Sequence, residues 1–294
     1  LTDKKGFVDV IFARGLIKSF RGKLVLKGLT FSVKKGSITG FVGPNGAGKT
    51  TTIKILSGLL RKDEGEIYIL GEDPWDNPRL RKKVSVIFTK LPYPSNDTVK
   101  EYLEDLNSVF HGDLARLIKE FNLQDHMRKR VSQLSSGQAQ KIQLIASLLK
   151  NPELVIADEP TANLDPQARI EFYDMVKALA RDYGVTFFIS SHILSELERV
   201  IDHVVFIDDG MVKALGELSY VESMIKGEEI LILVRDKERA LQVLKDFNPV
   251  VDGPYIKVRN EMRKVIDILD DNHVEVLSVR KVSLDDVFRK LSGV

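Results

Sequence analysis

The stretch Gly43-Pro44-Asn45-Gly46-Ala47-Gly48-Lys49-Thr50-Thr51 constrains this chain more than any other. A glycine, four free positions and then Gly-Lys-Thr form a phosphate-binding loop pattern, provided that a strand enters it and a helix leaves it. Both flanks comply. Ile38 to Val42 is an apolar strand pattern, and Ile53, Leu56 and Leu60 recur at helical spacing behind the loop. Such a turn aims consecutive backbone N–H groups and the positive end of a helix at one small volume, where a polyphosphate is the natural occupant. Gly43, Gly46 and Gly48 let the backbone curl closely, Lys49 supplies a point charge for the β and γ phosphates, and Thr50 a hydroxyl for Mg²⁺.

At 294 residues the chain has room for two domains. A formal net charge of +2 makes no electrostatic case for nucleic acid, and the basic runs Arg79 to Lys83 and Arg128 to Arg130 read as solvated faces. The sequence has no cysteine, so disulfides, thiolate metal sites and cysteine nucleophiles are excluded. No apolar run approaches the ~18 to 20 residues that cross a bilayer, and any membrane function needs another chain.

Ahead of the loop, strand patterns at Val8 to Phe12 and Leu29 to Val33 surround the turn Arg21-Gly22-Lys23. Phe20 ends the first of these segments; it would either pack or stack on a purine ring, and the residues alone favour packing. Gly65 to Leu70 and Val84 to Phe88 read as further strands. Helical spacing over Val99 to Phe110 and Leu114 to Phe121 makes residues from about 96 to 150 a helical insert, whose last helix Ser135 or Ser136 would cap. Leu154 to Ala157 is a buried parallel strand that delivers Asp158 and Glu159 at its C-terminal end, where open α/β sheets place their ligands. Two adjacent carboxylates there suit metal and base roles. Val185 to Ser190 delivers Ser191 and His192 in the same sheet order, and His203 to Ile207 with Met211 to Leu215 forms a closing hairpin. From residue 227, strands at Ile230–Val234, Tyr255–Val258 and Val274–Val279 alternate with helices at Glu238–Phe247, Met262–Leu269 and Leu284–Leu291, without a catalytic constellation. The expected fold is α/β: a P-loop NTPase core over residues 1–226 with an N-terminal antiparallel β subdomain and a helical insert, plus a small C-terminal α+β domain over 227–294.

In order and combination these stretches resemble the nucleotide-binding subunit of ATP-binding cassette (ABC) transporters over residues from about 8 to 220. The family's signature, Leu-Ser-Gly-Gly-Gln, appears as Leu134-Ser135-Ser136-Gly137-Gln138, its Walker B strand as Leu154 to Glu159, the loop after it as Ala162 to Asp165, and its switch histidine as His192. Phe20 takes the place of the adenine-stacking aromatic, which reverses the preference for packing.

The resemblance implies two cassettes, as a homodimer or a mixed pair, that sandwich two ATP molecules. Each ATP would be held by Phe20, Gly43, Asn45, Gly46, Ala47, Gly48, Lys49, Thr50 and Thr51 of one subunit, and in trans by Ser135, Ser136, Gly137 and Gln138 of the other. Thr50 and Asp158 would hold Mg²⁺, and Asp165 would link the two sites across the interface. Glu159, His192 and Lys49 take the catalytic roles it implies: Glu159 polarises the attacking water, and His192 contacts the γ phosphate and senses its loss. Where the family carries a Gln before the insert this chain has Thr89, which would reach the metal through a water; Ser136 replaces the first signature glycine. The Ser191 to Glu196 stretch and the tail Ser283 to Phe288 look most like the ABC-2 type exporter branch. That branch implies a separate transmembrane permease, no nucleic acid partner, and a cytoplasmic location on the inner face of the cell membrane. The competing reading is a non-transport cassette ATPase acting on nucleic acid or the ribosome. Such relatives carry coiled-coil insertions, zinc cysteines or fused cassettes, whereas this sequence has one phosphate loop, no cysteine and no sustained heptads.

Overall fold

The computed structural model describes residues 9–89, 96–224, 229–259, 262–282 and 286. Val8 and the helix expected at Leu284–Leu291 fall outside the described residues, as does the tail Ser283–Phe288 apart from Asp286.

Strands β1 (Asp9–Phe20) and β2 (Lys23–Lys34) form a hairpin whose turn residues Arg21 and Gly22 have φ of 48° and 81°. This is the primed-turn geometry that follows the twist of the strands. Both strands are far longer than the apolar patterns suggested. Register shifts between Ala13 and Leu16 and between Lys18 and Ser19 interrupt the alternation, so a period-two reading stops early although pairing continues.

Strand β3 (Ile38–Val42) is buried at all five positions and runs into the phosphate loop and helix α1 (Lys49–Leu56). Strand β4 (Glu64–Ile69) pairs with β1 and completes a three-stranded antiparallel sheet in the order β2-β1-β4. Helix α2 (Pro78–Lys83) starts with proline and an Asn77 cap and leads into β5 (Val84–Phe88). The insert supplies α3 (Val99–Phe110), held by a Thr98–Glu101 capping box, and α4 (Leu114–Glu120). Helix α5 (Ser136–Leu148) returns the chain to β6 (Leu154–Asp158), followed by α6 (Pro166–Tyr183), β7 (Thr186–Ser191), α7 (Leu194–Leu197), β8 (His203–Asp208) and β9 (Met211–Glu217).

The central sheet has the order β5-β6-β7-β3-β8-β9. Its parallel register pairs Val42 with Ser191, Ala157 with Ile189 and Phe88 with Asp158. The loop after β3 and the residues that end β5, β6 and β7 therefore share one edge, the usual ligand edge of an open α/β sheet. Phe31 of β2, Phe41 of β3 and Phe188 of β7 stack with centroids 5.0 to 5.7 Å apart and fasten the antiparallel sheet to the central one. Each such pair adds about 0.5–1.5 kcal/mol beyond the area it buries.

Contacts divide the chain into Leu1–Gly216 and Glu217–Val294. The second unit contains α8 (Leu218–Met224), β10 (Glu229–Val234), α9 (Lys237–Val243), β11 (Val250–Asp252), β12 (Tyr255–Arg259), α10 (Met262–Asp271) and β13 (Val276–Lys281). Its antiparallel sheet, ordered β11-β12-β10-β13, has the ferredoxin-like βαββαβ connection. Ile230, Ile232, Val234, Ile256, Val258, Val265 and Leu269 make a core of its own. The sequence pattern misses β11 because three residues are too few to show a period.

Candidate nucleotide site

Gly43 opens the loop where a Cβ would lie 2.0 Å from the Ile207 carbonyl oxygen on β8, so any side chain there would displace the loop from the sheet. Lys49, the first residue of α1, is only 5% exposed. Its ammonium donates to the carbonyls of Gly43 (2.7 Å) and Pro44 (3.1 Å) and stands 3.4 Å from Glu159 Oε1. Burial pulls the Lys49 pKa below its ordinary value, and the charge of Glu159, then that of Asp158, pushes back. Thr50 is exposed beside it and Thr51 half-buried. Asn45 and Gly46 are exposed, while Ala47 and Gly48 are buried under the loop.

Glu159 lies just beyond β6 with φ of 44°, a left-handed backbone that residues with side chains seldom adopt. Its second oxygen, Oε2, is 3.4 Å from Nδ1 of His192, which follows β7. The carboxylate thus bridges Lys49 and His192. Asp158 is buried, and its Oδ1 accepts from the Ser190 hydroxyl (2.8 Å). The same Ser190 oxygen accepts from the Glu159 N–H at 2.9 Å. Thr89 donates its hydroxyl to the Asp158 carbonyl (2.7 Å) and, more weakly, to that of Glu159 (3.2 Å). Phe20 sits at the end of β1, 44% exposed as a residue, with the Lys18 ammonium 5.5 Å from its ring centroid.

The signature residues occupy a second location. Ser135 caps α5: the Gln138 N–H donates to its hydroxyl (3.3 Å), and its own N–H donates to Gln138 Oε1 (3.2 Å). Ser136 is exposed, which explains why a side chain is tolerated there. Gly137 is different, because a Cβ would lie 2.7 Å from Cβ of Ala168 on α6. Asp165 caps α6 by accepting from the Ala168 N–H at 3.0 Å. Ser135, Gly137, Gln138 and Asp165 line one cleft of ≈ 300 Å³, together with His126 and Lys141. Arg169 of α6 donates to the carbonyl of Leu164 (3.2 Å) and pairs with Glu196 of α7. Gln140 of α5 donates to the Pro160 carbonyl just past Glu159.

The structure therefore gathers Lys49, Asp158, Glu159, His192 and Thr89 on the sheet edge, and the signature residues with Asp165 in a separate cleft. Ser190 is a further residue of this edge, which the sequence pattern does not single out. Its signal was a hydroxyl in an otherwise apolar strand, which acquires meaning only once the register sets it beside Asp158.

Fold and site define a phosphate-loop ATPase with an antiparallel β subdomain. The family model for ABC transporters matches residues 26–162. Among curated relatives, the bacitracin transport ATP-binding protein BcrA of Bacillus licheniformis is 32% identical, the match covering 97% of each chain. The linearmycin resistance ATP-binding protein LnrL of Bacillus subtilis (strain 168) is 30% identical over 96% of this chain and 97% of its own. The daunorubicin/doxorubicin resistance ATP-binding protein DrrA of Streptomyces peucetius is also 30% identical, covering 95% and 91%. An ABC transporter ATP-binding subunit of known structure superposes with a TM-score of 0.65 at 29% identity, covering 73% of this chain and 92% of that one. A cassette solved in its ADP conformation gives a TM-score of 0.64 at 26% identity, covering 74% and 95%. The chain belongs to the ABC transporter family, as an ATP-binding subunit with an ABC-type ATPase fold.

Proposed function

We propose that the chain hydrolyses ATP as one of two paired cassettes and powers export through a separate transmembrane permease, at the inner face of the cell membrane. The observation that carries this reading is the Glu159 carboxylate, 3.4 Å from both Lys49 and His192 on the edge where the phosphate loop ends. ATP would lay its phosphates along the N–H groups from Gly46 to Thr51, with Phe20 against the adenine. Lys49 would exchange the neutral Gly43 and Pro44 carbonyls for phosphate oxygens. Glu159, released from the lysine, would orient and polarise water for attack on the γ phosphate, with His192 in reach of the same group.

Among the described residues no group of three or more His, Cys, Asp or Glu side chains could hold a metal. The buried Asp158 carboxylate and the Thr50 hydroxyl are hard oxygen donors, a set that fits Mg²⁺ when nucleotide phosphates supply further ligands. When bound, Mg²⁺ neutralises charge on the β and γ phosphates. Thr50 and Asp158 would hold it there. The Ser135 to Gln138 helix start would face the γ phosphate of the opposite subunit, with Asp165 near the join.

The relatives' names concern bacitracin transport and resistance to daunorubicin and linearmycin, which supports export and an antibiotic-type cargo. No helix among the described residues is long and apolar enough to cross a membrane, so the transport path would belong to another chain. The reading is tested by purifying the tagged chain from its host. Recovery with an integral membrane protein, and ATP turnover stimulated by that partner, is the expected result; recovery with ribosomes or nucleic acid alone would overturn the transport role.

A further inference from the structure

We propose that Thr89 and Ser190 are positioning residues that hold the Asp158–Glu159 turn in its reactive form, a hydroxyl from each strand flanking β6. The inference rests on the reading that Glu159 polarises the attacking water. It concerns what keeps that carboxylate in place.

Glu159 has to leave β6 with φ of 44° for its carboxylate to lie between Lys49 and His192. A left-handed residue with a side chain persists only where its surroundings over-determine it. Here they do. The Glu159 N–H is taken by Ser190 Oγ at 2.9 Å, and the Asp158 and Glu159 carbonyls share the Thr89 proton at 2.7 and 3.2 Å. Ser190, fully buried, spends its own proton on Asp158 Oδ1 at 2.8 Å, so one hydroxyl fixes both the backbone of the base and the carboxylate of its neighbour. The parallel register places both hydroxyls: Phe88 pairs with Asp158, which sets Thr89 one step beyond, and Ala157 pairs with Ile189, which sets Ser190 alongside Asp158.

This gives Thr89 a role that needs no amide. Its hydroxyl proton is committed to main-chain carbonyls, and it acts on the reaction through Glu159 rather than by touching substrate. The Thr89→Val change removes the hydroxyl at nearly constant shape, whereas Thr89→Ser retains it.

The test uses the full chain, with thermal melting confirming that each variant is folded. Thr89→Val and Ser190→Ala should each lower kcat about 10-fold or more while changing the ATP Kd less than about twofold, as expected when the group that acts in the transition state is displaced and nucleotide contacts are kept. Thr89→Ser should keep at least about half of the wild-type kcat. In nucleotide-free protein, Ser190→Ala should speed hydrogen exchange of the Glu159 amide about 10-fold, because that N–H loses its acceptor. Added to Glu159→Gln, Thr89→Val should change the residual single-turnover rate less than about twofold, since the two act through one group. Unchanged kcat in Thr89→Val would overturn the proposal. So would a full Thr89→Val loss on top of Glu159→Gln, or a Thr89→Val defect that saturating Mg²⁺ abolishes, which would make Thr89 a metal contact. Should Ser190→Ala not fold, the Thr89 series alone decides. Near-normal turnover in Glu159→Gln by itself would instead remove the underlying reading of Glu159, a failure distinguishable from the others.

Discussion

At the phosphate-loop edge, a buried ammonium and an imidazole each stand 3.4 Å from one carboxylate, and hydroxyls beside the neighbouring strand ends tie down the backbone beneath it. At the signature cleft, Ser135 and Gln138 bond to each other, Asp165 bonds to its own helix, and Ser135 and Ser136 are exposed. Both places are strand or helix ends with small polar residues. The first is electrostatically closed within one chain. The second has local caps but no charge partner in these contacts, and its helix end presents positive potential outward. Under the proposed function, a chain built this way would supply the hydrolytic groups from one edge and the receiving half of a second phosphate site from the other.

Replacing Glu159 by Gln should affect this comparison most. ATP turnover should fall at least about 100-fold while ATP still binds, since the amide keeps the shape of the carboxylate but cannot take a proton. ATPase assays beside equilibrium nucleotide binding check it, and retained turnover would show that the closed edge is not the hydrolytic one. Ser135→Ala should come next, with turnover down about 10-fold or more and binding of ATP to the isolated chain unchanged. The lost cap should lower stability by about 1 kcal/mol. A weakened ATP Kd in that variant at low protein concentration would break the division into two half-sites.

Phe20→Ala should weaken ATP binding by about 1 to 2 kcal/mol, within the range for stacking of a base on an aromatic ring, and leave kcat nearly intact. Competition with an inosine triphosphate would sharpen the assignment, because loss of stacking should penalise both purines alike. The smallest effect concerns Asp63, which accepts from Lys18 and from the Ser19 N–H and hydroxyl, next to Phe20. The Lys18 ammonium, then the Ser19 donors, hold its pKa down from 3.8 to about 2. A carboxylate depressed on folding stabilises the folded chain fully above pH 3.8, and that contribution is lost as the pH falls through about 2. Asp63→Asn should therefore flatten the acid limb of the melting temperature over that window and change little at neutral pH, as expected for an exposed pair.

Much of this was legible in the residues. Val84–Phe88 and Val99–Phe110 fall where the apolar run and the helical spacing put them, the helix fixed by a Thr98 cap that the sequence carries openly. Lys49 is legible from the Gly-Lys-Thr loop pattern, and Asp158, Glu159 and His192 because they end or follow strands of one parallel sheet, which brings such ends together. The apolar pattern covers only part of the long β1–β2 hairpin because its bulges erase alternation, and β11 is too short to show a period. Thr89 and Ser190 show a different limit. What a hydroxyl bonds to depends on register with strands distant in sequence, 69 residues away for Thr89 and Asp158 and 32 for Ser190 and Asp158.

Arg169 joins the loop that ends in Asp165 to the helix that follows His192, by one bond to the Leu164 carbonyl and one pair with Glu196. Its guanidinium is a flat plate with its N–H groups at fixed angles, so the two attachments share one orientation. Pulling Glu196 away alone would strand a half-buried cation, whereas moving the helix and the loop as a unit would keep both bonds. In mechanical terms the guanidinium is a tie rod between the two segments: a displacement at the histidine end that keeps both bonds would carry the aspartate end with it.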